Sequence, residues 1–206
     1  MSHVGILDLG TGNLRSVANA VSQLGYDPVM IADGSLGELT HLIIPGVGQF
    51  AAAMGALQER GFLEELRSYA NSGRPLLGIC LGMHILATRG TEGGLTEGLA
   101  LVPGLVDRLT PGEGIRVPHV GWNTVRPGRP HPLLTGLKPD RDFYFVHSYV
   151  FHCENSSDIL AETEYGAVFP SIVGRGNVVG FQFHPEKSQV NGLKLLENFC
   201  GWDGRC

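Results

Sequence analysis

The sequence predicts an α/β fold: a mostly parallel sheet, covered by helices on both faces, with an antiparallel extension. Up to residue 90, short apolar runs alternate with segments whose apolar residues recur at helical spacing, which is typical of parallel strands joined by helices. After residue 90, strand-like runs follow one another with few helices between them, which favours antiparallel pairing. A chain of 206 residues with 43% hydrophobic residues suits one domain with a real core, and we assign residues 1–206 to it.

The first half supplies the predicted parallel strands, at residues 4–9, 28–32, 41–45 and 76–79. The last of them is apolar throughout, as expected of a strand buried on both faces. Helices are predicted after Asn13 as a cap, with a stop at Gly25, and over residues 50–58, 63–70 and 83–87.

The second half supplies the predicted antiparallel extension. Its strands are predicted at residues 101–109, 115–125 and 143–152. Further strands are predicted at 161–164 and 178–183, and a closing helix at 193–199. Residues 91–98 read as a loop, and residues 127–132, rich in proline, as an exposed turn region.

Composition and charge exclude several classes of function. The net charge is −5 and there is no basic block, which argues against nucleic acid as a partner. No apolar run approaches the roughly 18 residues of a membrane span, and the first residues carry no basic segment of a secretory signal. The cysteines are scattered and form no CxxC pair, so we expect a cytoplasmic protein without a zinc site or a disulfide scaffold. They are Cys80, Cys153, Cys200 and Cys206.

The strongest motif is Gly-Ile-Cys-Leu-Gly at residues 78–82, where a predicted strand turns into a helix. A nucleophile elbow has this form, because glycines two residues to each side let strand and helix approach closely. Cys80 would then project from the carboxyl edge of the sheet, near the positive end of the next helix, which favours the thiolate. A buried structural cysteine is the alternative that these five residues leave open.

A base for the thiol is offered by His184, which follows the apolar strand at residues 178–183. In an extended segment, residues two apart share a face, so Glu186 can accept a hydrogen bond from one ring nitrogen. The other nitrogen can then take the thiol proton, as in an oriented nucleophile–base pair. A strand end with two polar surface residues is the alternative.

Two glycine loops follow other strands. Gly46-Val47-Gly48 lies at the same predicted sheet edge as Cys80 and can present backbone N–H groups to an anion or oxyanion, unless it is a plain turn. Gly10-Thr11-Gly12 also follows a strand, but Arg15 occupies the place of the third glycine of a dinucleotide fingerprint.

The elbow together with His184-Pro185-Glu186 closely resembles class I glutamine amidotransferases, which carry a Cys-His-Glu triad. Further stretches resemble one branch of this family, the subunits that make ammonia for a barrel-type synthase in histidine biosynthesis. These stretches span the chain in the expected order, at residues 12–17, 45–48, 118–123, 144–149 and 184–188.

The resemblance implies a glutaminase that needs no metal and no organic cofactor. It implies that Cys80 attacks the side-chain amide of L-glutamine, that His184 acts as base and then acid, and that Glu186 orients the imidazole. The oxyanion hole would be formed by backbone N–H groups of Leu81, Val47 and Gly48. The residues expected to bind substrate are Gly46, His84, Ser148 and Tyr149.

The resemblance also implies a heterodimer with a (β/α)8-barrel cyclase subunit, which would receive the ammonia. The residues expected to face it are Asn13, Arg15, Trp122, Asn123 and Lys187. Three positions depart from the family pattern: Leu9 replaces Tyr, Val120 replaces Met, and His84 replaces Gln. The first two changes leave the assignment intact, whereas His84 alters the expected substrate pocket.

Three rival functions remain open from sequence. A stand-alone cysteine peptidase or esterase would keep the triad but turn over acyl substrates without a partner. A nucleotide-binding module would use Gly10-Thr11-Gly12 and would be indifferent to Cys80→Ala. A sister amidotransferase subunit would serve a different synthase, and only Gly-Trp-Asn at residues 121–123 and Lys187 argue against it.

Overall fold

The computed structural model describes residues 3–10, 13–33, 35–137 and 141–205. The strands in this part of the chain are β1 (Val4–Leu7), β2 (Val29–Ile31), β3 (His41–Gly46), β4 (Leu76–Cys80), β5 (Arg89–Gly90), β6 (Thr96–Glu97), β7 (Gly104–Arg108), β8 (His119–Pro127), β9 (Arg141–His147), β10 (Tyr149–Cys153), β11 (Ile159–Tyr165), β12 (Ala167–Arg175) and β13 (Val178–Phe181). The helices are α1 (Leu14–Gln23), α2 (Phe50–Glu59), α3 (Phe62–Asn71), α4 (Leu81–His84) and α5 (Gln189–Gly201). Short 3-10 turns lie at Pro132–Leu134, Ser156–Asp158 and Pro185–Lys187.

A nine-stranded sheet forms the centre of the molecule, in the order β2-β1-β3-β4-β13-β12-β11-β8-β9. The first five strands in that order run parallel, and the other four continue the sheet in antiparallel fashion. The inner parallel strands are buried on both faces, which is why they read as continuous apolar runs. This arrangement confirms the predicted α/β fold with its antiparallel extension.

Two apolar clusters, one built around α1 and α5 and the other around α2 and α3, enclose the parallel strands. The carboxyl ends of β3 and β4 meet at one edge of the sheet, where Gly46 lies opposite Cys80. The functional side chains predicted from the first half of the sequence are thereby brought to one place.

The predicted strand over residues 143–152 is wrong in one respect: it is two strands in two sheets. β9 ends at His147 and belongs to the large sheet, whereas β10 begins at Tyr149 and pairs with β7. Between them, Ser148 breaks the ladder, and its carbonyl accepts a hydrogen bond from Leu109 N at 2.8 Å. β10 and β7 form a second, four-stranded sheet with β5 and β6, in the order β10-β7-β5-β6.

Other boundaries also differ from the predictions. Part of the predicted loop at 91–98 is the strand β6, and β12 lies where no strand was predicted. The predicted helix at 83–87 begins earlier, and α4 is a single turn over Leu81–His84. Asn13 precedes α1, but its side chain accepts from the Ser16 hydroxyl at 2.7 Å and does not cap a backbone N–H.

Candidate active site

Cys80 is the last residue of β4 and the point where the chain turns into α4. Its backbone has φ 54° and ψ −108°, in the left-handed half of the map, which costs on the order of 1–3 kcal/mol for a residue with a Cβ. The two glycines of the motif are required by the turn: a Cβ at Gly82 would collide with the Ile44 carbonyl, and one at Gly78 with the Gly82 carbonyl. The strand-to-helix elbow predicted from sequence is therefore present.

The helix after the elbow is shorter than expected. Because α4 has only four residues, its dipole is small, and the predicted support for the thiolate from a helix terminus is weak. The thiol itself points towards the Val146 carbonyl in β9, with Sγ 3.8 Å from the oxygen.

His184 and Glu186 form a buried pair. His184 Nδ1 lies 2.9 Å from Glu186 Oε1, and the two side chains are 3% and 1% exposed. The link between them is a 3-10 turn at Pro185–Lys187 and not the extended segment assumed from sequence, yet it brings the same two atoms together.

The backbone of His184 is held on both sides. Its N–H donates to the Tyr144 carbonyl at 2.9 Å, and its carbonyl accepts from the Ser188 hydroxyl at 2.6 Å. Ser188 Oγ in turn accepts from Tyr144 N at 3.0 Å. The backbone of His184 is thus fixed to the edge strand β9, and its imidazole is held by Glu186.

The free nitrogen of His184 is available for proton transfer. Within the described residues, Nε2 makes no hydrogen bond of standard geometry, although Cys80 is close enough to interact with the ring. Burial lowers the pKa of His184, but Cys80 and the Glu186 carboxylate outweigh it and raise that pKa to about 9. A base with these neighbours retains a proton taken from the thiol.

A cavity of about 210 Å³ opens over the Cys80 sulfur. Its lining residues come from the loop after β3, the elbow, the loop after β5, and the junction of β9 with β10. They are Val47, Gly48, Cys80, Leu81, His84, Glu92, Val146, His147, Ser148 and Tyr149. Most of the residues predicted to bind substrate or oxyanion thus share one cavity.

Gly46 does not line the cavity but lies beneath it. It pairs with Cys80 across the sheet, and a Cβ at this position would lie 3.1 Å from Leu81 Cβ. At Gly48, where φ is 117°, a Cβ would lie 4.0 Å from Leu81 Cδ2. The backbone of the loop at 46–48 therefore packs against the elbow.

His84 lies one turn after Cys80 and is 4% exposed. Its Nε2 is 2.8 Å from Gln182 Oε1, an atom that only accepts, so Nε2 carries the proton and Nδ1 is an acceptor. Burial is the main cause that lowers the pKa of His84, to about 4, and the ring is therefore neutral at physiological pH.

Three cavity residues were missed by the sequence analysis: Glu92, Val146 and His147. Glu92 Oε2 accepts a hydrogen bond from Phe50 N at 3.1 Å, and burial raises the pKa of this carboxyl. The signal in the sequence that could have identified Glu92 was its carboxylate, in a loop beside the sheet edge of Cys80. Val146 and His147 enter the cavity because β9 ends there.

The residues predicted to face a partner differ in how far they are exposed to solvent. Arg15 and Lys187 are exposed, Trp122 is 49% exposed, and Asn13 is half-buried. Asn123 is also half-buried, and its amide donates to the Glu164 carbonyl at 2.9 Å. Gly12 and Thr11 of the first glycine loop lie outside the described residues, as does Cys206.

Within residues 3–10, 13–33, 35–137 and 141–205, no group of three or more His, Cys, Asp or Glu side chains is arranged to hold a metal ion. None of the helices there is both long and apolar enough to span a membrane.

The family model for glutamine amidotransferase class-I matches residues 6–201. The imidazole glycerol phosphate synthase subunit HisH of Desulfitobacterium hafniense is 49% identical over 200 residues, which cover 97% of this chain and 94% of that protein. The subunit of the same name from Moorella thermoacetica is 48% identical over 202 residues, with 97% and 94% covered.

Solved structures share the fold. A crystal structure of a glutamine amidotransferase superimposes with a TM-score of 0.76 at 25% identity, covering 97% of this chain and 99% of that one. PurLQS from Thermotoga maritima superimposes with a TM-score of 0.77 at 16% identity, covering 97% and 98%. With a family model that spans nearly the whole chain and relatives at almost half identity, the chain belongs to the class I glutamine amidotransferases.

Proposed function

We propose that this chain is the glutaminase subunit of imidazole glycerol phosphate synthase. It hydrolyses L-glutamine to L-glutamate and ammonia, and the ammonia goes to a cyclase subunit that makes imidazole glycerol phosphate and the aminoimidazole carboxamide ribonucleotide of histidine biosynthesis. The observation that carries the proposal is the Cys80 elbow beside the buried His184–Glu186 pair under a small cavity. Relatives of the same name at 48–49% identity support this choice over a sister subunit.

The geometry suits a thioester mechanism. His184 Nε2 takes the proton of the Cys80 thiol, and the sulfur attacks the side-chain carbonyl carbon of glutamine. When the tetrahedral intermediate collapses, the C–N bond breaks and His184 gives its proton to the departing ammonia. A water molecule, deprotonated by His184, then attacks the thioester, releasing glutamate and restoring the thiol. Glu186 keeps the imidazole in the required tautomer throughout.

Backbone N–H groups of Leu81, Val47 and Gly48 are proposed to stabilise the oxyanion. They lie on the two segments that pack together at the cavity floor, the loop after β3 and the first turn of α4. Donors fixed in this way need no reorganisation when charge develops on the substrate oxygen. Gly46 holds the loop against the elbow.

The cavity also suits the amino-acid end of glutamine. We assign the Glu92 carboxylate to the substrate ammonium group, since it is the acidic side chain of the lining. Ser148 and Tyr149 offer backbone groups at the point where β9 leaves the large sheet, and His84 offers a neutral ring nitrogen. An esterase or peptidase would have little use for this closed polar end.

The partner is proposed to bind the outer face of β8 and β9. Val120 lies opposite Val146 and Trp122 opposite Tyr144, which places these four side chains on one face. Val120 is 54% exposed and Trp122 49%, and the Lys187 ammonium lies 5.7 Å from the centre of the Tyr144 ring. Because Val146 also lines the cavity, a protein covering this patch would border the site where ammonia is released.

This patch suits a (β/α)8-barrel cyclase of the HisF type as partner in a heterodimer, with Asn13 and Arg15 towards the rim. Asn123 lies on the opposite face of β8 and supports the strand from behind. An exposed tryptophan among aliphatic side chains is a common anchor of protein interfaces. Cys80, Cys153 and Cys200 are not joined in disulfides, which fits the reducing cytoplasm that we propose as the location.

The test is a glutaminase assay of the chain alone and then with a barrel cyclase and its ribonucleotide ligand. We expect slow hydrolysis alone and an increase of roughly 5–150-fold with the liganded partner, the usual range of coupling between sites. Equal rates with and without the liganded partner would favour a stand-alone hydrolase.

Trp122→Ala should weaken the complex by about 30-fold or more, as for an interface anchor, while Met30→Ala, at the opposite edge of the sheet, should not.

His84→Gln is expected to lower KM for glutamine a few-fold with little change in kcat. A glutamine amide offers the substrate both a donor and an acceptor on a longer, more adaptable side chain, and one neutral hydrogen bond changes binding roughly fivefold. Since the contact is remote from the reacting carbon, the effect falls on KM. Because the pKa of His84 is about 4, the KM ratio should stay constant between about pH 5.5 and pH 8.5. Unchanged kinetics would show that His84 does not contact substrate.

A further inference from the structure

Two buried histidines that the mechanism does not use form a hydrogen-bonded chain behind the cavity. His119 and His147 lie opposite each other on β8 and β9, with His119 Nδ1 2.9 Å from His147 Nε2. His147 Nδ1 lies 2.9 Å from the Tyr149 carbonyl oxygen. At the other end, Asn123 Nδ2 lies 3.3 Å from His119 Nε2. The chain thus runs from the inward side of β8 to the junction of β9 and β10.

The positions of the protons in this chain follow from its two ends. The Tyr149 carbonyl only accepts, so His147 Nδ1 must carry a proton. In a neutral ring, His147 Nε2 is then an acceptor, and His119 must donate to it from Nδ1. His119 Nε2 is left as an acceptor for the Asn123 amide. Every bond therefore points the same way, from Asn123 through both rings to Tyr149.

The surroundings keep both rings neutral and in place. Burial lowers the pKa of His119 to about 4 and is the main cause that lowers that of His147 to about 3. The His119 ring is stacked between two aromatic rings, at 3.9 Å from Tyr165 and 4.9 Å from Phe145, each tilted by 22°. The ring plane of His119, and hence the direction in which it donates, is fixed by this stack.

The last bond of the chain spans the break between the two sheets. His147 is the end of β9, Tyr149 is the start of β10, and the imidazole reaches across Ser148 to the next carbonyl. The Ser148 carbonyl is held separately by Leu109 N. Both bonds fix the backbone of Ser148 and Tyr149, the strip assigned above to the amino-acid end of glutamine.

We propose that His119 and His147 are positioning residues for glutamine binding, which act by holding the Tyr149 carbonyl and the strip around it. The inference rests on the proposed glutaminase function. It implies that binding of glutamine depends on a hydrogen-bond donor at the position of His119 Nδ1, although His119 itself does not line the cavity.

Two substitutions separate hydrogen bonding from packing at this position. His119→Phe keeps a ring between Tyr165 and Phe145 but removes the donor, whereas His119→Asn loses the stack but places an amide N–H near the former Nδ1. We expect His119→Phe to raise KM for glutamine roughly fivefold, the effect of one hydrogen bond, with kcat within about twofold. His119→Asn should return KM towards the wild-type value.

The assay uses the complex of the full chain with its barrel partner, with thermal unfolding of each variant as the control for folding. If KM rises in His119→Asn and stays at the wild-type value in His119→Phe, the ring acts through packing, and the proposal is wrong. If the wild-type complex hydrolyses glutamine but neither variant changes KM, only this inference fails. A wild-type complex without glutaminase activity would instead overturn the proposed function.

A second readout is independent of activity. Nitrogen-15 NMR of the wild-type chain should show His147 protonated at Nδ1 and bare at Nε2 around neutral pH, and His119→Phe should shift the Nε2 resonance as its donor is lost. A His147 protonated at Nε2 would contradict the direction of the chain.

Discussion

Replacing Cys80 by serine is expected to abolish glutamine-dependent synthesis by the complex and to leave ammonium-dependent synthesis intact. A serine hydroxyl at the elbow is a far weaker nucleophile than the thiolate, and the loss of a catalytic nucleophile costs on the order of 10⁴-fold or more in kcat. The proposed barrel partner would need only ammonia, so an ammonium salt should bypass this chain.

The measurement is product formation by the complex, with glutamine and with an ammonium salt as nitrogen source, for wild type and Cys80→Ser. Serine differs from cysteine by one atom, so the strained turn and its glycines are kept. If both activities fell together, Cys80 would serve the structure or the interface, and its assignment as nucleophile would be wrong.

Glu186→Gln is expected to lower kcat for glutamine by about 10⁴-fold, as when the orienting aspartate of a Ser-His-Asp triad is replaced by its amide. The amide can present N–H to His184 Nδ1 and so favour the wrong tautomer. It also removes one of the groups that raise the pKa of His184. Because the proposed mechanism requires a protonated His184 to expel ammonia, kcat/KM should fall on the alkaline side, and the substitution should move that limb to lower pH.

Wild type and Glu186→Gln should differ in their pH dependence. For wild type, kcat/KM followed between about pH 6 and pH 10 should decline as His184 of the free enzyme loses its proton near pH 9. For Glu186→Gln the decline should begin at lower pH, and for Glu65→Gln, an exposed glutamate on α3, it should not move. A shift of the limb to higher pH would contradict the role assigned to Glu186.

The parallel half of the fold was predictable because its strands are buried on both faces and separated by helical segments. Residues 41–45 and 76–79 are apolar nearly throughout, and glycine loops mark their ends. The sequence also placed His184 and Glu186 together, since only two residues separate them. An unbroken apolar pattern was sufficient to predict the strands, and the short distance along the chain was sufficient to predict the pair.

The antiparallel half was harder to predict because its turns leave the apolar pattern unchanged. Residues 143–152 read as one strand-like run that Ser148 does not visibly interrupt, although the two halves belong to different sheets. β12 was missed because it contains Pro170 and Gly174, which normally interrupt strands; here Pro170 lies opposite an irregular register of β11 near Glu162.

Residues of the candidate site also depend on turns and loops of this kind. His147 enters the cavity only because β9 ends there, and Glu92 only because its loop runs beside α2, where Phe50 N holds its carboxylate. Neither position is marked by spacing along the chain, since each depends on a contact between distant segments.

Alkylation with a glutamine analogue that carries a chloromethyl ketone in place of the carboxamide tests whether Cys80 is the nucleophile for glutamine. Sulfur displaces chloride and leaves a stable thioether, located by intact mass and peptide mapping. The other described thiols are poor competitors, because burial raises the pKa of Cys153 and of Cys200 to about 12. A Cys206→Ser variant removes the remaining cysteine as a control.

We expect one adduct per chain on Cys80, loss of glutaminase activity in proportion to the adduct, and slower labelling in the presence of glutamine. Labelling in Cys80→Ser should fall to background. Inactivation by an adduct on another residue, or labelling of Cys80 that glutamine does not slow, would contradict the account.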